Sequence, residues 1–167
     1  MPTPDPRLAQ LRSALDGVTT VEEACARTVS AVTELVACAG TIVALVDEPD
    51  RTLRIADVDE LAPKLRVEWS RIPLAAPVPL SDVVRYRQPI FLRSRREWLD
   101  VYPHLVHLAD QTGHQANAVL PLMNGDEVVG ALGVAFHEPR EFADEEREFA
   151  LAVASEVARS VQRVRTG

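Results

Sequence analysis

Lysine is all but missing from this sequence. Its 167 residues hold one lysine, Lys64, against seventeen arginines. Arginine codons are mostly GC-rich and lysine codons AT-rich, so the bias points to a bacterial gene of high GC content. Aromatic residues make up only 5%. The core must therefore be aliphatic, built on Val, Leu and Ala. Cysteine is scarce too: Cys25 and Cys38 are the two present, and they make no disulfide framework. No apolar run reaches the roughly eighteen residues of a membrane span. The opening MPTPDPRLAQ lacks the apolar stretch of a secretory leader. A basic face is also missing. The net charge is −7, which argues against partners rich in phosphate such as nucleic acid. The expectation is a reduced, cytoplasmic protein with neither a membrane nor a nucleic-acid partner.

What is present suits one domain with a sizeable core. Pro2, Pro4 and Pro6 make residues 1–6 a frayed arm, and residues 7–167 read as a single domain. Leu8, Leu11 and Leu15 follow at helical spacing, and Gly17 can end that helix. Thr19 or Thr20 caps a second helix, with Glu22 and Glu23 in its first turn. Its apolar face reads Val21, Cys25, Val29, Val32, Val36. TIVALVDE (41–48) and RTLRIADV (51–58) read as two strands of a hairpin. Residues 59–115 are irregular and hold both tryptophans, both tyrosines and three of the four histidines. There IPL (72–74) and PIFL (89–92) are short strands, and LSDVVRY (80–86) and RREWLDVY (95–102) are short helices.

The strongest local signal is VLPLMNGDEVVGALGVAF, residues 119–136. Asn124-Gly125 between two apolar runs marks a tight hairpin, with positive φ expected at both turn positions. Both runs are apolar on both faces, so helices should cover one face and the irregular middle segment the other. Gly130 and Gly133 lack side chains, which lets something approach that strand closely. A last helix spans about Asp144 to Val164, with Asp144 as N-cap. One stripe on it reads Phe149, Val153, Val157, Val161, Val164. A narrower one reads Ala150, Ala154, Ala158.

Three stretches resemble the GAF domain family. AGTIVALVDE looks like its first central strand after the N-terminal helices. VLPLMNGDEVVGALGVAF is similar to its hairpin, with a Pro-Leu pair and a Val-Gly-x-Leu strand. EFADEEREFALAVASEVA looks like the start of its closing helix. PLSDVVRYRQPIFL also resembles the family's helix-then-strand middle. The resemblance covers nearly the whole chain. It implies an α+β fold with a central antiparallel sheet of five or six strands. The N- and C-terminal helices would lie on one face, and a pocket under the irregular helical segment on the other.

The residues expected at such a pocket are Trp69, Phe91, Trp98, Tyr102, His104, His107, His114 and Asn117. Trp98 and Tyr102 stand at i and i+4, on one helix face. His104-x-x-His107 could share a face with Asp110, but Pro103 and Gly113 bracket the segment and no cysteine joins it. No metal or haem ligand set is therefore assigned, and no cofactor is named. Cyclic-nucleotide binding in the family goes with a dispersed Asn-Lys…Phe…Asp-Glu pattern. Here Gly125 follows Asn124, and Phe142 stands only two residues before Asp144. Cys25 and Cys38 fall on or just after the second helix, away from the middle segment. That placement counts against a bilin and against free methionine sulfoxide reductase chemistry on this fold. Arg85, Arg87, Arg93, Arg95 and Arg96 read as a solvated face balanced by Glu97 and Asp100. No catalytic residue is assigned.

The expectation is a sensory module binding a small molecule or a partner protein. The alternatives are a GAF-fold enzyme of the methionine sulfoxide type and a pure dimerisation module without a ligand. A homodimer would form through the terminal helices, since one sheet covers only one of the last helix's two stripes.

Overall fold

A computed structural model of the chain describes residues 5–58 and 70–166. Trp69 lies outside these residues. Helix α1 (Pro6–Leu15) starts at Asp5, whose carboxylate accepts the Arg7 N–H at 2.9 Å. It ends where Gly17 takes φ 76°. Helix α2 (Val21–Val36) is capped by Thr20, whose hydroxyl accepts the Glu23 N–H at 3.1 Å. Strands β1 (Gly40–Asp47) and β2 (Thr52–Val58) form the first hairpin. The middle holds β3 (Arg71–Pro73), α3 (Pro79–Tyr86), β4 (Ile90–Leu92) and α4 (Arg95–Val101). A 3-10 turn (Pro103–Leu105) and α5 (Val106–Thr112) complete it. Strands β5 (Ala116–Asn124) and β6 (Glu127–Phe136) form the long hairpin, and α6 (Asp144–Thr166) closes the chain.

The six strands make one antiparallel sheet in the order β3-β2-β1-β6-β5-β4. Side-chain alternation sends the two faces to two different cores. Val43, Leu45, Ala116, Ala118, Leu120, Leu132 and Val134 face α1, α2 and α6. Ala44, Leu53, Ile72 and Leu92 face the middle segment with Trp98 and Leu105. The hairpin strands are largely apolar on both faces because each face packs against a core, and only the end near the turn is exposed.

Two local expectations are corrected. The turn residues are Gly125 and Asp126, since Asn124 already pairs with Glu127. Only Gly125 has positive φ, 63°, so glycine stands first in a two-residue loop, as in a II′ turn. A register shift between Leu122 and Met123 moves the turn one residue along. Asp144 opens α6 as a first-turn residue rather than as its cap. The Arg147 N–H donates to the Ala143 carbonyl at 3.0 Å, and the Glu146 carboxylate accepts the Ala143 N–H at 3.4 Å.

Gly130 is required by close approach. A Cβ there would stand 2.1 Å from the Ala44 carbonyl oxygen, where β1 carries its own bulge. The narrow alanine stripe of α6 is not left for a second copy. Ala154 and Ala158 are 3% and 0% exposed within one chain, because α6 packs on β5 and also against α1 and α2.

Candidate functional site

A cavity of about 150 Å³ lies between the sheet and the middle segment. Its floor comes from the pocket-facing positions of the central strands: Ile42 on β1, Asn117 and Val119 on β5, Gly133 and Ala135 on β6. Val58 and Ile72 close one side. Val78, Leu80, Trp98, Leu105 and Leu108 form the roof. Helix α3 is seated on β5 and β6. Its first residue is Pro79, which pre-sets the helical φ and wastes no N–H. Ser81 ties it to the strand before it, donating to the Pro73 carbonyl at 2.8 Å.

The lining is nearly all apolar, and its polar side chains matter for that reason. Asn117 stands on the floor, and its Nδ2 is buried with no hydrogen-bond partner among the described residues. A buried amide left unpaired is costly, and nearly all such groups in native proteins find a partner. His114 and Thr112 line the same cavity. Burial and the neighbouring His137 hold the His114 imidazole below its ordinary value, so it is neutral at pH 7. No Asp, Glu, Lys or Arg lines the cavity among the described residues.

Of the residues expected at the pocket, the structure brings together Trp98, His114 and Asn117. Phe91 lies on the opposite face of the sheet. It packs against Phe142, ring centroids 5.3 Å apart, beneath the Arg147 guanidinium. Tyr102 is buried in the core on the pocket side but does not line the cavity. Its hydroxyl donates to Asp82 on α3 at 2.6 Å, and Asp82 also pairs with Arg85. Tyr102 thus braces α4 against α3 behind the wall. Burial and the Asp82 carboxylate both push its phenol pKa up.

His104 and His107 do not meet. The former lies in the 3-10 turn with Nε2 at 2.7 Å from the Pro77 carbonyl, and the latter in α5 beside Gln111. Asp110 pairs with Arg95 instead. No cluster of three or more potential metal-ligating side chains occurs among the described residues.

Sequence reasoning missed the aliphatic lining, notably Val58, Ile72, Leu80 and Leu105. The signal that could have found part of the floor was Gly133 with its period-two neighbours. Three members of the arginine run are engaged with neighbours. Arg93 pairs with Glu97 at 2.8 Å, Arg95 with Asp110, and Arg85 bonds the Leu74 and Ala76 carbonyls.

Both cysteines are free thiols and neither lines the cavity. Cys25 sits in the helix-side core, where burial pushes its pKa up to about 11. Cys38 lies near the floor's far side, its Sγ 3.5 Å from the Gly40 carbonyl and from Thr41 Oγ1.

The family model described as "GAF domain" matches residues 18–162. The chain belongs to the GAF domain family. Solved GAF structures repeat its architecture at low identity. The GAF domain of a phosphoenolpyruvate-protein phosphotransferase from Coxiella burnetii is 19% identical, with a TM-score of 0.82 over 96% of this chain and 94% of that one. The second GAF domain of DevS from Mycobacterium smegmatis is 24% identical, with a TM-score of 0.67 over 87% and 96%. A free methionine-R-sulfoxide reductase from Neisseria meningitidis, solved with its substrate, is 17% identical, with a TM-score of 0.77 over 99% and 96%. These likenesses speak for the GAF fold. No curated protein matches the sequence.

Proposed function

We propose that this GAF domain is a non-catalytic cytoplasmic sensor that binds a small molecule in the cavity above β1, β5 and β6. The observation that carries the reading is Asn117 Nδ2, a buried donor without a partner among the described residues, in a cavity lined mostly by apolar side chains. A ligand acceptor would complete it. Trp98, His114 and Asn117 contact that ligand together with the aliphatic lining. Among the described residues no helix is long and apolar enough to cross a membrane.

The route out of the site follows the alternation of β5. Asn117 points into the cavity, while Ala116 and Ala118 on either side point into the core shared with α6. A ligand that shifts β5 therefore shifts the packing of the last helix, a rigid-body route for a signal. Pairing of two copies through the terminal helices belongs to this reading. Leu151 of α6 is 45% exposed and is the apolar side chain offered there.

Native mass spectrometry of the purified protein tests the proposal. A noncovalent small-molecule adduct is expected on the wild type and not on Ala135→Phe, which fills the cavity floor. Two bare species of equal stability would sink it.

The enzyme reading draws on the likeness to the methionine sulfoxide reductase. Against it stand a Cys25 thiol held protonated in the core and a Cys38 outside the cavity lining. Reduction of free methionine sulfoxide by the wild type, abolished in the Cys25→Ser, Cys38→Ser double variant, would establish it instead.

A further inference from the structure

The cavity carries more information than its existence. Its volume, about 150 Å³, is that of an apolar cavity that takes up a benzene-sized molecule. A ligand held there has on the order of six to ten non-hydrogen atoms. Apolar side chains supply most of its surroundings, from Ile42 and Val119 below to Leu80 and Trp98 above.

Charge is the second discriminator. Moving an ionised group out of water costs several kcal/mol or more unless a counter-charge meets it. The described lining offers none. Of the nearby arginines, Arg85 pairs with Asp82 and Arg95 with Asp110, and neither these nor Arg96 lines the cavity. His114 is kept neutral by burial and by His137, so it is no substitute for a cation. Polarity is the third. Among the described residues Asn117 offers one buried donor without a partner, so the ligand needs one well-placed acceptor.

Resting on the reading of this cavity as a ligand site, we infer that the ligand is a compact, uncharged, mostly apolar molecule whose single hydrogen-bond acceptor meets the Asn117 amide. Zwitterionic amino-acid derivatives, carboxylates and phosphate esters fit poorly, because among the described residues no charged side chain lines the cavity to match theirs.

Three probes of similar size separate the terms: acetophenone (neutral, with an acceptor), benzoate (charged) and toluene (no acceptor). Binding is followed by the side-chain amide signals of 15N-labelled protein, with the Asn117 pair assigned by its loss in Asn117→Leu. Acetophenone should shift the Asn117 pair at millimolar concentration or below. It should bind at least about tenfold more tightly than benzoate at pH 7. Asn117→Leu should weaken acetophenone by about tenfold, the worth of one buried hydrogen bond, and leave toluene unchanged. Ala135→Phe should abolish all three.

Benzoate binding as well as acetophenone would overturn the neutral class while leaving the cavity a ligand site. Toluene matching acetophenone in the wild type would overturn the role of Asn117, whether or not the leucine variant folds. Failure of every probe, with a bare protein in the mass spectrometer, would overturn both this inference and the reading beneath it.

Discussion

His114 and His137 stand ring to ring, their centroids 5.8 Å apart and their planes tilted by 57°. One lines the cavity and the other is exposed at the end of β6. Burial of His114, with His137 beside it, makes stability depend on pH in a defined direction. The folded pKa of His114 lies below its ordinary value of 6.5, so the unfolded chain binds more protons between the two values. Stability is then full above about pH 6.5 and is lost as pH falls through the lowered folded value. Thermal melting between pH 7.5 and pH 5 should show this drop in the wild type and a smaller one in His114→Gln. Parallel profiles for the two proteins would refute the assignment.

The Tyr102 brace should have a measurable strength. Tyr102→Phe removes a hydrogen bond to a charged group but leaves Asp82 paired with Arg85. The expected loss is about 1.5 kcal/mol, read from the urea midpoint. Because Tyr102 does not line the cavity, probe affinities should change less than they do for Asn117→Leu.

Ala158 separates folding from pairing. It is 0% exposed inside one chain, so Ala158→Glu buries an unpaired carboxylate and should lower the melting temperature steeply whatever the oligomeric state. Leu151→Glu is the complementary variant. On an exposed position it should leave melting unchanged and convert a dimer, measured by light scattering after size exclusion, into a monomer. A wild type that is already monomeric at micromolar concentration would end the proposal of a pair.

The hairpin turn depends on one residue. Gly125 holds φ at 63° with nothing near its missing side chain, so the penalty for a substitution is conformational rather than steric crowding by neighbours. Gly125→Val should cost more than about 1 kcal/mol, because a β-branched residue resists the left-handed region. An unchanged denaturation curve would contradict the turn.

Much of this architecture was legible in the linear chain. The 3.6-residue spacing of Val21, Cys25, Val29, Val32 and Val36 marks α2, and the run from Val119 to Phe136 marks the central hairpin. Short-range patterns of this kind depend on which neighbours a backbone period places on one face, and sequence states that directly. The family resemblance then ordered the elements into a sheet with a pocket.

The membership of the pocket was settled only in three dimensions. PIFL is apolar at consecutive positions, so periodicity could not say which way Phe91 points. Its pairing with Ala118 turned it to the helix side and left Ile90 and Leu92 on the other. Trp98 and Tyr102 have helical spacing, but the helix ends at Val101, and Tyr102 with φ −126° and ψ 65° swings off toward Asp82. His104 and His107 fall in two different helical pieces and so share no face. Sequence by itself determined the periods, the Thr20 cap of α2 and the presence of a tight glycine turn in the long hairpin, because each is a local property of a few adjacent residues. The cap of α6 and the exact turn residues followed from strand register and chain packing. Only the tertiary structure decided that Asn117 would line one cavity with Ile42, Val58, Leu80 and Trp98. Those contacts come from strand register and from helices packed across long sequence separations, which no local pattern encodes.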